Sequence, residues 1–430
     1  MIDVNAAGGS GQASHYDTVG IGAGPSNLSL AALFPALSPR EIALFDAQPG
    51  PAWHSGLLHP GVRMQTGWVK DLVSMLDPTH PLSFLNYLVT TGRIYGLLGA
   101  GYETIPRLEY TQYLAWAAGQ IPRLFYNTPI DQVSFDDGRL YCHSRGEIAA
   151  SCDHLVLGMG TVPVVPDFCS DLDSDRLILA DLLDQQMPQQ MDPETPVIVV
   201  GSGQTSAECV GALLNRGCRN IKWVGRRTWY GPLEDSPTAN DLYRPAYHEF
   251  FVNLPHEARR RLVGGQILTS DGITPGTLTG LYQANYEARL RYGNFPVTLM
   301  PGRNVVGARM VDGEAELRCV GVSGDEEALR SQYVVLAAGR RATPPPFDEE
   351  LSELIEWDEH GEPVIERDFS IMWKHADHHK IFVLNRGRYV QGLIDSNLSI
   401  LPIRSAILIN SLAERTVFKF QDQYVSTTWA

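Results

Sequence analysis

Two short glycine-rich stretches carry the residue types best suited to holding nucleotides. The first reads Gly20-Ile21-Gly22-Ala23-Gly24-Pro25-Ser26-Asn27, between the β-prone Tyr16-Asp17-Thr18-Val19 and the helix-prone Leu28-Ser29-Leu30-Ala31-Ala32-Leu33. Strand, glycine turn and helix form the context in which such glycines matter. Gly22 and Gly24 let backbone N–H groups approach a pyrophosphate, and the helix opening at Pro25, Ser26 and Asn27 adds partial positive charge. Asp46 closes the next apolar run, about where a ribose-binding carboxylate is expected. The competing reading is a tight turn without ligand; strand, helix and Asp46 together favour a nucleotide.

The second stretch, Gly201-Ser202-Gly203-Gln204-Thr205-Ser206, follows Val197-Ile198-Val199-Val200, a buried-strand pattern, and precedes an apolar helix over 209–214. Its next strand, 220–225, ends in Arg226 and Arg227 instead of an acid. Guanidinium groups there suit the extra 2′-phosphate of NADP, against the alternative of two ordinary surface arginines. One site without basic residues and one with them imply FAD and NADPH. The hard chemistry then belongs to the cofactors, and the protein supplies orientation and electrostatics. A disulfide reductase would need a C-x-x-C pair, which the six scattered cysteines do not form. A plain oxidase or electron-transfer reductase needs no further motif. A monooxygenase needs a substrate pocket beside the flavin, and the polar-aromatic helical stretch 232–292 could build one.

The elements that position these loops read as α/β. At 430 residues the chain exceeds one ordinary core. Aromatic-rich helical pieces over 81–119 supply core; strands follow at 133–135, 139–142 and 154–158. The strand 333–336, ending in Gly339, mirrors the strand ending near Gly160, and both are expected to carry the chain between domains. The resulting division has a disordered tail (1–15), an FAD domain (16–165 and 331–430), an NADPH domain (166–240 and 293–330) and a helical substrate-binding insertion (241–292). The segment 343–359 reads as an acidic, proline-rich surface loop. Hydrophobic residues make up 44% and charged residues 19%, as in soluble globular proteins, and the net charge of −15 argues against nucleic acid and anionic membranes. No metal site is signalled. A cytoplasmic setting is the simplest fit.

The combination Gly22-x-Gly24-Pro25-Ser26-Asn27-Leu28, Met64-Gln65-x-x-x-x-Lys70-Asp71-Leu72 and Gly201-x-Gly203-Gln204-x-Ser206-Ala207-Glu208 resembles the siderophore N-hydroxylating monooxygenases, which act on lysine, ornithine or diamines. The resemblance continues through Asn285-Tyr286, Asp395-Ser396-Asn397-Leu398-Ser399 and Leu401-Pro402-Ile403-Arg404. The F-x-G-x-x-x-H signature of Baeyer–Villiger relatives is missing. The resemblance implies two Rossmann-like domains with a small helical insertion. It implies Gln65 at the flavin's reactive edge, Lys70 on a substrate carboxylate, Asn285 between substrate and NADP ribose, and Ser399 near the substrate's far end. It places Asn397 and Leu398, with Thr205, among the cofactor contacts, and it implies a homotetramer.

In this family NADPH reduces FAD, O2 adds to give a C4a-hydroperoxide, and a neutral amine attacks it. An amine of pKa about 10.4 is free base to about one part in a thousand at neutral pH, so an apolar pocket favours reaction. One departure bears on substrate: the family's Asn-Glu pair before a Phe is matched to His248-Glu249-Phe250. Losing that Asn removes a carboxylate partner. The expectation is therefore a diamine, cadaverine ahead of putrescine, with Glu249 or Asp395 holding the distal ammonium and L-lysine as runner-up. The product would enter hydroxamate siderophore synthesis.

Overall fold

A computed structural model describes residues 13–420 and 426–429. Most of the tail expected over 1–15 lies outside the described residues, and strand is already present from Ser14. The first sheet has seven strands, in the order Leu124–Phe125, Ile42–Phe45, Ser14–Ile21, Glu147–Leu157, Arg139–Ser144 and Gln132–Asp136, with Ile381–Val383 also paired to Glu147–Leu157. Ser14–Ile21 runs parallel to both neighbours, with Ile21 opposite Phe45 on one side and Leu157 on the other. Its last four residues are buried, as a strand covered on both faces requires.

The second sheet is parallel throughout: Val297–Pro301, Ile221–Gly225, Val197–Val200, Tyr333–Leu336 and Leu177–Leu179. Tyr333–Leu336 thus belongs with the second glycine loop, so the boundary expected at 331 lies later in the chain. The two crossings between sheets pair with each other, Thr161–Pro163 antiparallel to Arg340–Ala342. A three-stranded antiparallel meander, Arg303–Val311, Glu314–Gly321 and Glu326–Ser331, packs Leu317, Cys319 and Leu329 against the second sheet. The stretch 237–292 is helical, ending in the 18-residue helix Pro275–Tyr292.

The aromatics of 81–119 are core. Phe84, Tyr87, Tyr110 and Tyr113 are buried beneath the helix Pro25–Leu33. The Tyr113 hydroxyl donates to the Leu82 carbonyl at 2.7 Å, so its burial leaves no polar atom unmet. The segment 343–359 is more than a surface loop: Asp348 caps the short helix Glu349–Glu353, which seats Leu351 fully in the core. No helix among the described residues is by itself long and apolar enough to cross a membrane.

One buried pair joins the two units. Arg107 Nη1 and Nη2 bind Glu208 Oε2 and Oε1 at 2.9 and 2.7 Å, and Nη1 also donates to the Leu57 carbonyl at 2.7 Å. The Glu208 side chain is only 3% exposed. Removing one partner strands the other charge. Arg107→Met is therefore expected to destabilise the protein by about 3–5 kcal/mol, whereas the apolar double replacement R107M/E208L restores much of that loss; urea unfolding of the three proteins checks it.

Candidate active site

The first glycine loop is shaped by contacts that only glycine permits. Gly22 has φ +93°, and a Cβ there would lie 2.4 Å from the Gly158 carbonyl oxygen. The helix Pro25–Leu33 begins at Gly24 with no side-chain cap and no acid in its first turn, so its leading N–H groups are left for a ligand. A Cβ on Gly24 would meet nothing within 4 Å, so open space lies above this end. Asp46 accepts from Ala23 N at 2.6 Å and Gln48 N at 2.8 Å, standing beside the loop as a ribose carboxylate should. These features fit the phosphate and ribose of FAD. Asn27 differs from expectation. It is fully buried and donates to the carbonyls of Ile21 (3.1 Å) and Gly22 (2.8 Å), so it braces the loop from beneath.

The second loop repeats the design. A Cβ on Gly201 would lie 2.5 Å from the Ala337 carbonyl, and the helix Gln204–Asn215 starts uncapped at Gly203. Ser206 is buried and donates to Gly203 O at 2.7 Å, while Thr205 stays half-buried. Gln204 is a strut: its amide reaches Glu208 and Thr277, and its oxygen takes the Thr274 N–H at 2.8 Å. The two arginines separate clearly. Arg227 Nη1 is engaged by the Asp271 carbonyl at 2.9 Å. Arg226 is exposed and has no side-chain partner among the described residues. Its guanidinium is the one free for a 2′-phosphate.

The segment around Asp271 gathers three parts of the chain. Its carbonyl takes Arg227, its carboxylate pairs with Arg388 at 2.6 Å, and the Gly272 carbonyl takes the exposed Gln65 amide at 3.4 Å. Gln65 from the first unit thus meets the second unit between the two loops. Sequence reading gave Asp271 and Arg388 no role, because neither lies in a motif.

Lys70 and Ser399 are brought together across 329 residues, Nζ to Oγ 3.5 Å. Asn397 positions Ser399 by accepting its N–H at 2.7 Å, and Leu398 packs against the first core. Burial pulls the Lys70 ammonium below its ordinary range, and no carboxylate pairs with it among the described residues. The neighbouring Asp71 is fixed by four bonds, from Val73 N, Ser74 N, Ser74 Oγ and Phe84 N, at 2.6–2.9 Å.

Four expected substrate residues lie elsewhere. Asn285 is buried and exchanges two hydrogen bonds with the Val297 backbone, at 3.0 and 2.9 Å, pinning helix to strand. His248 is 6% exposed, bonds Gln391 Oε1 at 2.8 Å, and is kept toward its neutral form by desolvation. Glu249, one residue on, faces solvent. Asp395 is 1% exposed and accepts from Asn385 N (3.1 Å) and Gly387 N (2.9 Å); burial raises its pKa. The Asp395 carboxylate is spent on backbone, while Glu249 accepts from Asn253 Nδ2 at 3.1 Å at the surface. An Asn-acid pair does occur nearby, as Asn240-Asp241-Leu242, and there Asn240 is exposed whereas His248 is buried. Exposure separates the two stretches, and sequence alone does not give it.

Comparison with known proteins agrees with this geometry. The family described as L-lysine 6-monooxygenase/L-ornithine 5-monooxygenase matches residues 14–342. An L-lysine N6-monooxygenase from Escherichia coli is 31% identical over 411 residues, covering 94% of this chain and 95% of the relative. A putrescine N-hydroxylase from Shewanella oneidensis is 29% identical over 439 residues, covering 96% and 84%. The crystal structure of a cadaverine monooxygenase of the desferrioxamine pathway from Erwinia amylovora, bound to FAD, superposes with a TM-score of 0.88 at 28% identity, covering 97% and 99%.

If Arg226 carries the phosphate, Arg226→Ala raises KM for NADPH about ten- to a hundredfold and leaves the NADH reaction nearly unchanged. Steady-state kinetics with both nucleotides checks this; Arg227→Ala, which loosens the Asp271 contact, is expected to affect both alike.

Proposed function

The chain belongs to the L-lysine 6-monooxygenase/L-ornithine 5-monooxygenase family, and on that premise we propose that it hydroxylates the terminal amine of L-lysine. It is an FAD- and NADPH-dependent N-hydroxylating monooxygenase. The observation that carries the substrate is Lys70. An ammonium half-buried beside Ser399 without a carboxylate is costly, and a ligand carboxylate offsets that cost. Lysine supplies a carboxylate; a diamine would bring a second ammonium toward the first. His248, on which the diamine expectation drew, is buried against Gln391, so the diamine reading is carried by the relatives and not by that residue.

When bound, FAD supplies activation of O2 with NADPH-derived electrons and transfer of one oxygen atom to nitrogen. The protein's part is placement. Lys70 and Ser399 hold the carboxylate end, leaving the amine to extend toward the flavin. Gln65 borders the junction of the two units, where nicotinamide and flavin would meet. Arg226 and the uncapped helix at Gly203 hold the NADPH phosphates, and Gly22, Gly24 and Ser26 face the FAD phosphates. No side chain is needed as nucleophile, because the substrate nitrogen is one. The hydroxylamine product would then be acylated to a hydroxamate, the iron-binding group of a siderophore.

Cadaverine is the second reading. It is favoured by the likeness to the Erwinia amylovora enzyme and by the putrescine-hydroxylating relative. Hydroxylamine formation by purified enzyme with lysine, cadaverine and putrescine separates the readings: kcat/KM is expected to be highest with lysine. A higher value with either diamine defeats the lysine proposal. NADPH consumption matched by hydrogen peroxide with every amine would instead indicate an oxidase.

Lys70→Met tests the anchor itself. It is expected to raise KM for lysine about ten- to a hundredfold, the range for a lost charge-assisted contact, with little effect on cadaverine. Flavin content should be unchanged.

A further inference from the structure

We infer that Arg404, on the C-terminal helix Leu401–Ala413, is a positioning residue of the flavin site: it holds the Ser26 hydroxyl so that Ser26 donates to a phosphate oxygen of FAD. Arg404 is 3% exposed and lies 378 residues from its partner. Its Nη2 donates to Ser26 Oγ at 2.8 Å, and its Nη1 reaches Asn385 Oδ1 at 3.4 Å. Ser26 stands in the first turn of the uncapped helix Pro25–Leu33, half-buried beside the open space above Gly24.

A hydroxyl that accepts from a guanidinium has its own hydrogen free to donate. That leaves the hydroxyl able to donate to an acceptor in the open space at the start of the helix. Arg404 itself does not reach solvent, so it works through Ser26.

The charge balance points the same way. A guanidinium this buried is costly unless paired. No carboxylate lies within ion-pairing distance of Arg404 among the described residues, and its Nε has no hydrogen-bond partner. Asp395 is the nearby acid and its charge favours the Arg404 cation, but its oxygens bond the N–H groups of Asn385 and Gly387 and make no hydrogen bond to the guanidinium. The pyrophosphate that the loop is suited to hold would add negative charge on the Ser26 side of the guanidinium. Arg404 would thereby make FAD retention depend on the last helix of the chain. A second link, Ser405 Oγ to Ser29 Oγ at 2.9 Å, joins the same two helices without any charge and serves as a control.

The inference rests on assigning FAD to the first loop, and its test reads binding directly. FAD is titrated into apoprotein of the unsubstituted chain, S26A, R404K, R404M, S26A/R404M and S405A, following quenching of flavin fluorescence. R404M and S26A are each expected to weaken FAD binding about ten- to a hundredfold. R404K should lose less. The double variant should bind no worse than the weaker single one, because both remove the same contact. Should R404M fail to fold, S26A/R404K takes its place in the cycle and should match S26A. S405A should bind FAD as the unsubstituted chain does. Unchanged affinity in R404K and R404M, or losses that add in the double variant, overturns the role of Arg404 while leaving the flavin assignment standing. An unsubstituted apoprotein that takes up no FAD defeats both.

Discussion

The fork between Arg107 and Glu208 sets the geometry on which the site depends. Arg107 begins the helix Arg107–Ala118 under the first sheet, and Glu208 stands one turn into the helix that opens the second loop. Two parallel bonds between planar groups fix orientation as well as distance. The first loop and the second are therefore held in register by a contact that touches neither ligand. Gln204 extends the register by bonding Glu208 on one side and the start of the helix Pro275–Tyr292 on the other. Hydride transfer across two cofactors needs such alignment, since small misplacements cost rate steeply.

Around that frame two buried carboxylates are spent on backbone. Asp71 gathers the turn from Val73 to Phe84, and Asp395 gathers the turn from Asn385 to Gly387. Both carboxylates look like ligand residues in a sequence and behave as fasteners in the fold. Lys70 and Arg404 behave differently, two cations whose hydrogen bonds include a hydroxyl and no carboxylate. One lies beside Ser399 and the other behind the first glycine loop, against Ser26.

Much of this was legible in the residues. Glycines that need close approach, apolar parallel strands and aromatics at helical spacing all declare themselves locally, because the constraint acts over a few residues. The arginine pair after the second strand was legible too, although which guanidinium is free depended on Asp271, 44 residues away. Asn285 and His248 are satisfied by groups far along the chain, and Asn27 and Gln204 bond their own surroundings. Sequence does not distinguish such a side chain from one waiting for a ligand. The strand Glu326–Ser331 was missed because only Leu329 and Ser331 face inward, leaving a polar sequence without alternation to read.

The paired crossings have a consequence for motion. Thr161–Pro163 and Arg340–Ala342 leave the first sheet and return to it side by side, tied by Arg340 to Thr161 and by Arg340 to Asp181. Two separate tethers would let one unit swing in any direction. A two-stranded ribbon resists bending across its width and yields to twist along its length. Twist along the ribbon is thereby the softest deformation of the crossing itself, and the Arg107–Glu208 fork opposes it from the other side.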